Sequence, residues 1–485
     1  MGAGKSSAFE DTLDTDRLVE DQLEMSIARF FAAYGERKFR QREEPVVLRA
    51  LRSGAPVVAL GGGAVLSETV RAALAGHTVV WLDVALDTAW ERAAGDDRPL
   101  AGDRASFAAL YEERRSLYAS VADAFIPEGD RLVRAARPAL DALRDAPPGT
   151  KLVYASTAGG DYPVYVGRGL LGGLPRPGRR AFLVTDEHVA AHYGERLRDV
   201  HHTIAIAPGE EHKTLAAAEG VWRELAAQGM GRDDHIVALG GGVVGDLAGF
   251  CAATYQRGVP VVQVPTTVVA QVDSAYGGKT GVDLPEAKNY VGSFHQPAAV
   301  ITDVDTLATL PSEEHAAGYA EVLKTALIAG GSLWERVVSG ADVDERVVLD
   351  CARTKLAVVA ADERDGGARQ LLNLGHTVGH AIETATGYVR YRHGEAVALG
   401  LLAALRLSGQ DELRAQVAAL LAARGLPTAL EGASAEDVVA ATRLDKKRRG
   451  DEVPFVLVHA PGDVRFGEPV DAADVLAAVT ELVDG

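Results

Sequence analysis

The string HIVALGGGVVGDL, residues 235–247, constrains the fold more than any other stretch. An apolar run without alternation reads as a strand covered on both faces, the situation of parallel sheets flanked by helices. Gly240-x-Gly242-x-x-Gly245 follows at once and opens an apolar helical stretch. Glycines at such a turn let the backbone approach a pyrophosphate at a helix N-terminus. The string alone does not identify a dinucleotide site. The acidic residue expected about 20 positions later is not obvious. Asp186, at the end of AFLVTD, is an upstream alternative for a ribose, and it reads equally well as a helix N-cap. VVALGGGAVLSE (57–68) echoes the string, but its flanks do not match, so convergent turn chemistry explains it better than duplication.

At 485 residues the chain exceeds one ordinary core, and two or three domains are expected. LRDAPPGTKL (143–152) carries the best linker, at 146–150. Before it, VVAL and TVVWLDV alternate with helical stretches. After it, YPVYVG, AFLVTD, TIAIAPG, HIVALGGG, VPVVQVPTT and AVITDV read as strands feeding helices up to residue 311. From 312 to 485 the pattern is helical and rich in Ala and Leu, with one late strand, VPFVLVHA.

A net charge of −18 argues against nucleic acid as a partner, because phosphate backbones need a basic face. The two cysteines, Cys251 and Cys351, exclude a disulfide scaffold and a thiolate zinc knuckle, and suit a reducing cytoplasm. No signal pattern opens the chain, and the longest apolar run, AVALGLLAAL (396–405), is about half a membrane span, so no membrane role is expected. Against this acidic background, Lys279, Lys288, Lys324, Lys355 and Arg369 sit in or beside Gly- and polar-rich motifs. They read either as scattered solvated charges or as a site for a phosphorylated, carboxylated substrate. NLGHTVGHAIE (373–383) places His376 and His380 on one helical face, RHGEAVALG adds His393, and YAEVLKTA adds Glu321 and Lys324 one turn apart. Imidazoles with a carboxylate are what Zn²⁺ takes when one position stays open, although two histidines four apart are also common without metal.

The ordered strings PGEEHKT, GGGVVGDLAGF, PTTVVAQVDSAYGGKTGVD, KNYVGSFHQP, AEVLKTA, NLGHTVGHAIE and RHGEAV make residues 151–485 resemble 3-dehydroquinate synthase. The resemblance implies a homodimer that uses NAD and a divalent metal, Zn²⁺ or Co²⁺. The implied reaction turns the phosphorylated sugar acid 3-deoxy-arabino-heptulosonate 7-phosphate into 3-dehydroquinate and phosphate. It runs by hydride removal, phosphate elimination, hydride return, ring opening and aldol closure. The implied metal ligands are Glu321, His376 and His393, with His380 facing the substrate to assist proton transfer. NAD contacts are implied at Asp186, Glu210, Lys213, Gly242, Gly245, Asp246, Thr266 and Thr267, with Lys279 and Lys288 beside them. Asp273, Lys279, Asn289, Lys324, Lys355, Arg369 and Asn373 would hold the substrate, and Lys446, in LDKKRRG, is a further candidate. His188 departs from the Asn that often stands two residues after the ribose-binding Asp.

Residues 1–135 resemble shikimate kinase through GAGKS, LDTDRLVE, GERKFRQREE, VVALGGGAV and DDRPLAGDR, in that order. That resemblance implies ATP and Mg²⁺ at Lys5 and Ser6, and Arg98 reaching the phosphates from a lid. Asp14 and Asp16 would serve the magnesium and the shikimate hydroxyls, and Arg40, Gly62 and Arg115 would hold shikimate. The loop departs from the pattern, since its first glycine would lie upstream of Met1. Only eight residues separate Lys5 from Asp14, whereas a strand–helix–strand crossover takes at least about ten to twelve. A recognisable kinase fold with little or no kinase activity is therefore expected.

The expected fold class is α/β throughout. A P-loop kinase-like parallel α/β domain (1–145) precedes a Rossmann-like NAD-binding α/β domain (151–311) and a mainly α-helical metal-binding domain (312–485). A different reading is a metal- and NAD-dependent alcohol dehydrogenase with a non-catalytic N-terminal interaction module. Lys279, Lys355 and Arg369, as phosphate-pocket residues, favour the synthase.

Overall fold

The computed structural model describes residues 9, 11–94, 103–174, 176–442 and 454–484. Lys5, Ser6, Arg98 and Lys446 lie outside the described residues. The chain forms two compact units, Met1–Ser156 with Pro163–Tyr165, and Thr157–Tyr162 with Val166–Gly485.

In the first unit, β1 (Thr12–Asp14) pairs in parallel with β2 (Val57–Ala59), Thr12 opposite Val57. β3 (Val80–Asp83) pairs in parallel with β4 (Ala124–Pro127), and Ala124 in turn stands opposite Leu152 of β5 (Lys151–Thr157). Among the described residues no strand joins β2 to β3, so the expected parallel sheet is present in two pieces. Ser26 caps the helix Ile27–Leu51, which breaks at Gly35, where φ of 79° suits a residue without Cβ. The helix packs Val47 and Leu51 onto Val65, Val70 and Leu74. The prolines and glycine of the expected linker form a short turn, with Gly149 at φ 86°, that leads directly into β5. The sequence had not marked β5 as a strand.

The second unit takes up β6 (Gly160–Gly167) outside its middle residues, then β7 (Ala181–Asp186), β8 (Val200–Ile206), β9 (His235–Gly240), β10 (Val261–Pro265), β11 (Lys279–Leu284), β12 (Ala287–Phe294) and β13 (Ala299–Asp303). Five of them form an all-parallel array in the order β13-β10-β9-β7-β8. Every residue of β9 and β10 is buried, as their mainly apolar sequences require. Ile236, Ala238 and Val261 meet Leu247 and Cys251 of the helix Gly242–Thr254 in one core. β11 and β12 form an antiparallel hairpin that the sequence had not disclosed, because its strands carry glycine and lysine.

Beyond Ser312 the unit is mainly helical. The helices Ser312–Ala329 and His393–Leu407 are buried over most of their length. The expected late strand, β14 (Pro454–Ala460), pairs antiparallel with an unexpected partner, β15 (Asp463–Pro469). Among the described residues no helix is long and apolar enough to cross a membrane.

Candidate active site

Three helices bring the proposed metal ligands together. Glu321 lies mid-way along Ser312–Ala329, His376 opens His376–Ala385, and His393 opens His393–Leu407. The approach depends on Gly394, where a Cβ would collide with the carbonyl of Ala317. Glu321 Oε1 stands 3.5 Å from His376 Nε2 and 3.4 Å from His393 Nε2. One donor atom from each residue lies within 4.8 Å of the others, a set that fits a divalent cation of the zinc type. Burial opposes the charge of Glu321, but Lys324, His376 and His393 hold its carboxyl well below the usual range. Burial keeps the His376 imidazole well below its ordinary pKa, in the neutral form a metal needs. His393, partly exposed and bonded by Glu321 and Glu383, is pushed up to about 10 without a cation.

His380 lies one turn beyond His376, its ring centroid 5.3 Å from that of His376 and 5.8 Å from that of His393. It belongs to a second set of donors with Glu383 and His393. Sequence reasoning missed Glu383, although it stands in the quoted string NLGHTVGHAIE, four residues after Gly379 and three after His380.

These residues face a cleft of about 1410 Å³ that is also lined by Asp186, His188, Glu210, Lys213, Gly242, Asp246, Thr266 and Thr267. The helix Gly242–Thr254 begins there at Gly241 without a side-chain cap, leaving its first N–H groups available to an anion. Thr266 Oγ1 is buried and has no hydrogen-bond partner among the described residues. Both observations fit a dinucleotide. Asp186 caps the next helix through Val189 N–H at 2.8 Å, the second of its two expected roles, while still lining the cleft. Lys213 donates to Asp246 and to Asn289, each at 2.7 Å, and pairs with Glu210 at 3.4 Å. The structure therefore joins Asn289, expected among the substrate residues, to the residues expected at the dinucleotide. Gly245, expected as a cofactor contact, is not among the residues that line the cleft. A Cβ there would press on Gln263, whose amide donates to the Gly245 carbonyl, so the glycine serves helix-to-strand packing.

Asp273 is the hub of the residues expected at the substrate. Lys324 donates to it at 2.5 Å, and Lys355 donates to both its carboxylate and its carbonyl. Burial would raise Asp273, but Lys324 and Lys355 hold it below the ordinary value. Lys324 also reaches Glu321, at 2.5 Å, and so connects the two carboxylates. Lys279 pairs with Asp365 at 2.6 Å, and the buried Arg369 donates to the carbonyls of Gly277 at 3.0 Å and Glu363 at 2.5 Å. Lys288 lies 3.7 Å from Glu383. Asn373 donates to the Gln370 carbonyl within its own turn.

The first unit has a cluster of its own. Arg40 pairs with the buried Glu43 at 2.5 Å and with Glu36 at 2.9 Å. Its guanidinium fills the space a Cβ at Gly63 would need, and Asp16 and Glu43 do the same at Gly61. Tyr118 donates to the Gly62 carbonyl at 2.6 Å. Asp14 caps the helix Thr15–Leu23. Arg115 is not part of this cluster. It pairs with Asp83 at 3.5 Å and lies over the rings of Trp81 and Tyr111. The buried arginine facing Glu43 and Tyr118 is its neighbour Arg114. Helical periodicity carries that signal, since Phe107, Tyr111, Arg114 and Tyr118 share one face.

A parallel Rossmann-like sheet, a helical region carrying two imidazoles and a carboxylate, and a cleft lined by both define the class of an α/β enzyme, preceded by a smaller α/β unit. Family profiles for the N-terminal and C-terminal parts of 3-dehydroquinate synthase match residues 203–317 and 318–448, and a shikimate kinase profile matches 1–143. The chain belongs to the 3-dehydroquinate synthase family, fused to a shikimate kinase domain. The 3-dehydroquinate synthase of Caulobacter vibrioides is 44% identical over 355 residues, 66% of this chain and 95% of its own length. That of Symbiobacterium thermophilum is 46% identical over 334 residues, 62% of this chain and 92% of its own. Among solved structures, the 2-epi-5-epi-valiolone synthase of Streptomyces hygroscopicus with NAD⁺ and Zn²⁺ bound superposes with a TM-score of 0.62 at 26% identity, over 68% of this chain and 99% of that one. A 2-deoxy-scyllo-inosose synthase complexed with carbaglucose-6-phosphate, NAD⁺ and Co²⁺ shares the fold, with a TM-score of 0.60 at 24% identity over 68% and 99%.

Proposed function

We propose that the second unit converts 3-deoxy-arabino-heptulosonate 7-phosphate to 3-dehydroquinate and phosphate, with NAD at the glycine turn and Zn²⁺ or Co²⁺ held by Glu321, His376 and His393. The meeting of those three side chains on the wall of the cleft is the observation that carries this reading. When bound, the dinucleotide takes and returns a hydride while the cation polarises the substrate hydroxyls. Lys324 and Lys355 keep Asp273 ionised, so a partly buried carboxylate lining the cleft is available to orient a substrate hydroxyl. Lys279 and Arg369 provide cationic groups for the substrate's phosphate or carboxylate. His380, outside the proposed ligand set, is placed to pass a proton. Asp186 and the open helix start at Gly242 would hold the ribose and pyrophosphate. The resemblance also implies a homodimer.

With NAD⁺ and Zn²⁺ added, the purified chain is expected to release one phosphate per 3-dehydroquinate formed, with no net NADH. Stoichiometric NADH would instead favour the dehydrogenase reading. Glu321→Ala is expected to lower kcat/KM about 100-fold or more, the several kcal/mol that a Lewis acid contributes.

For the first unit, Asp16, Arg40 and Arg114 gather around Glu43 as a site for a carboxylate bearing hydroxyls, while among the described residues the parallel sheet stands in two pieces. The reading these support is a shikimate-kinase fold with little phosphoryl transfer. A coupled assay with ATP and shikimate tests it, and ordinary turnover would overturn it.

A further inference from the structure

Glu383 has no part in the chemistry proposed above, yet it is only 3% exposed. A buried carboxylate costs several kcal/mol unless it is paired. It stands in the last turn of His376–Ala385, and its Oε1 lies 3.5 Å from His393 Nδ1 and 3.7 Å from Lys288 Nζ. Lys288 is itself placed 4.6 Å over the ring of Tyr388. The other nitrogen of the same imidazole, His393 Nε2, faces Glu321 Oε1 at 3.4 Å. One ring therefore spans two carboxylates, one in the proposed ligand set and one outside it.

A neutral imidazole has one N–H and one lone pair. With the hydrogen on Nδ1, the ring donates to Glu383 and turns its Nε2 lone pair toward Glu321 and His376. The opposite tautomer would set a lone pair against a buried carboxylate and an N–H against the donor set. We infer that Glu383 is a positioning residue that fixes the tautomer and orientation of His393 so that Nε2 is presented to the cation. The inference rests on the metal reading above. The donor atoms of His380, Glu383 and His393 also lie within reach of one another, but a cation there would need both nitrogens of His393 bare while Nε2 serves the first set. Near neutral pH that demands an imidazolate, so the positioning role is the one the geometry favours.

The test is metal affinity, read by competition of the full-length zinc-loaded protein with a chromophoric chelator, independently of turnover. Glu383→Ala is expected to weaken Zn²⁺ binding 10- to 100-fold, the usual effect of losing the partner of a ligating histidine. Glu383→Gln, which keeps an acceptor oxygen, is expected to recover most of that loss. NAD⁺ binding and the melting temperature of the metal-free protein report whether either variant is merely unfolded. Unchanged Zn²⁺ affinity in folded Glu383→Ala overturns the inference while leaving the metal reading intact. A wild type that binds no Zn²⁺, or binds it undiminished after Glu321→Ala, overturns both. Two bound ions in the wild type, one of them lost with Glu383→Ala, would make Glu383 a ligand and overturn the positioning role.

Discussion

His235 opens β9 at 3% exposure, and neither ring nitrogen has a hydrogen-bond partner among the described residues. Burial, helped by Arg176 and opposed by Asp234, pushes its pKa down to about 4 from 6.5. The unfolded chain therefore takes up a proton at His235 between about pH 6.5 and 4, where the folded chain does not. Stability is full above that window and is lost as pH falls through it, by about 3 kcal/mol. Asp234, held at about 2 by its bonds to Arg180, titrates below this window. Urea unfolding from pH 7 to pH 4 should show that slope, and His235→Phe should flatten it. At this scale the sequence was most legible where a motif marked side chains that meet in the fold. Glu321, His376 and His393 lay inside strings that named them. Arg114 was not legible in that way, because RR offers two adjacent arginines and only the buried face of the helix separates them.

Strands built on apolar runs announced themselves, as β7, β9 and β13 did, and β10 did so despite Gln263. β11, β12 and β15 did not, because a two-stranded ribbon with one exposed face needs no apolar run. β15 exposes most of DVRFGEP, and β12 exposes Tyr290 and Phe294. The helices around the proposed metal site were legible as helices, but their separation was not, since it is set by contacts such as Gly394 on the Ala317 carbonyl. Gly394→Ala would force the start of His393–Leu407 away from Ser312–Ala329 and carry His393 with it. The expected result is a loss of about 1–3 kcal/mol in denaturant unfolding, together with weaker Zn²⁺ retention. A stability loss without any change in metal retention would mean that His393 tolerates the shift.

For the chain as a whole, every residue proposed for synthase chemistry within the described residues lies between Asp186 and His393. Deleting residues 1–145 is therefore expected to leave kcat of the synthase within about twofold, a change under about 0.5 kcal/mol. The same deletion removes β4 from beside β5 and uncovers a strand edge, so lower solubility is expected in a sedimentation assay. A loss of turnover in the soluble fraction would show that the kinase-type unit supports the synthase. Lys324 lies between Glu321 and Asp273, at 2.5 Å from each. A cation on Glu321 and a substrate on Asp273 would thus each draw on a carboxylate that pairs with the same ammonium. Whatever factor loading of the ion changes in substrate affinity, the substrate must return in the rate-independent affinity for the ion, because the cycle closes. Measured by equilibrium dialysis in both directions, the two factors should be equal, and Lys324→Met should bring both toward one.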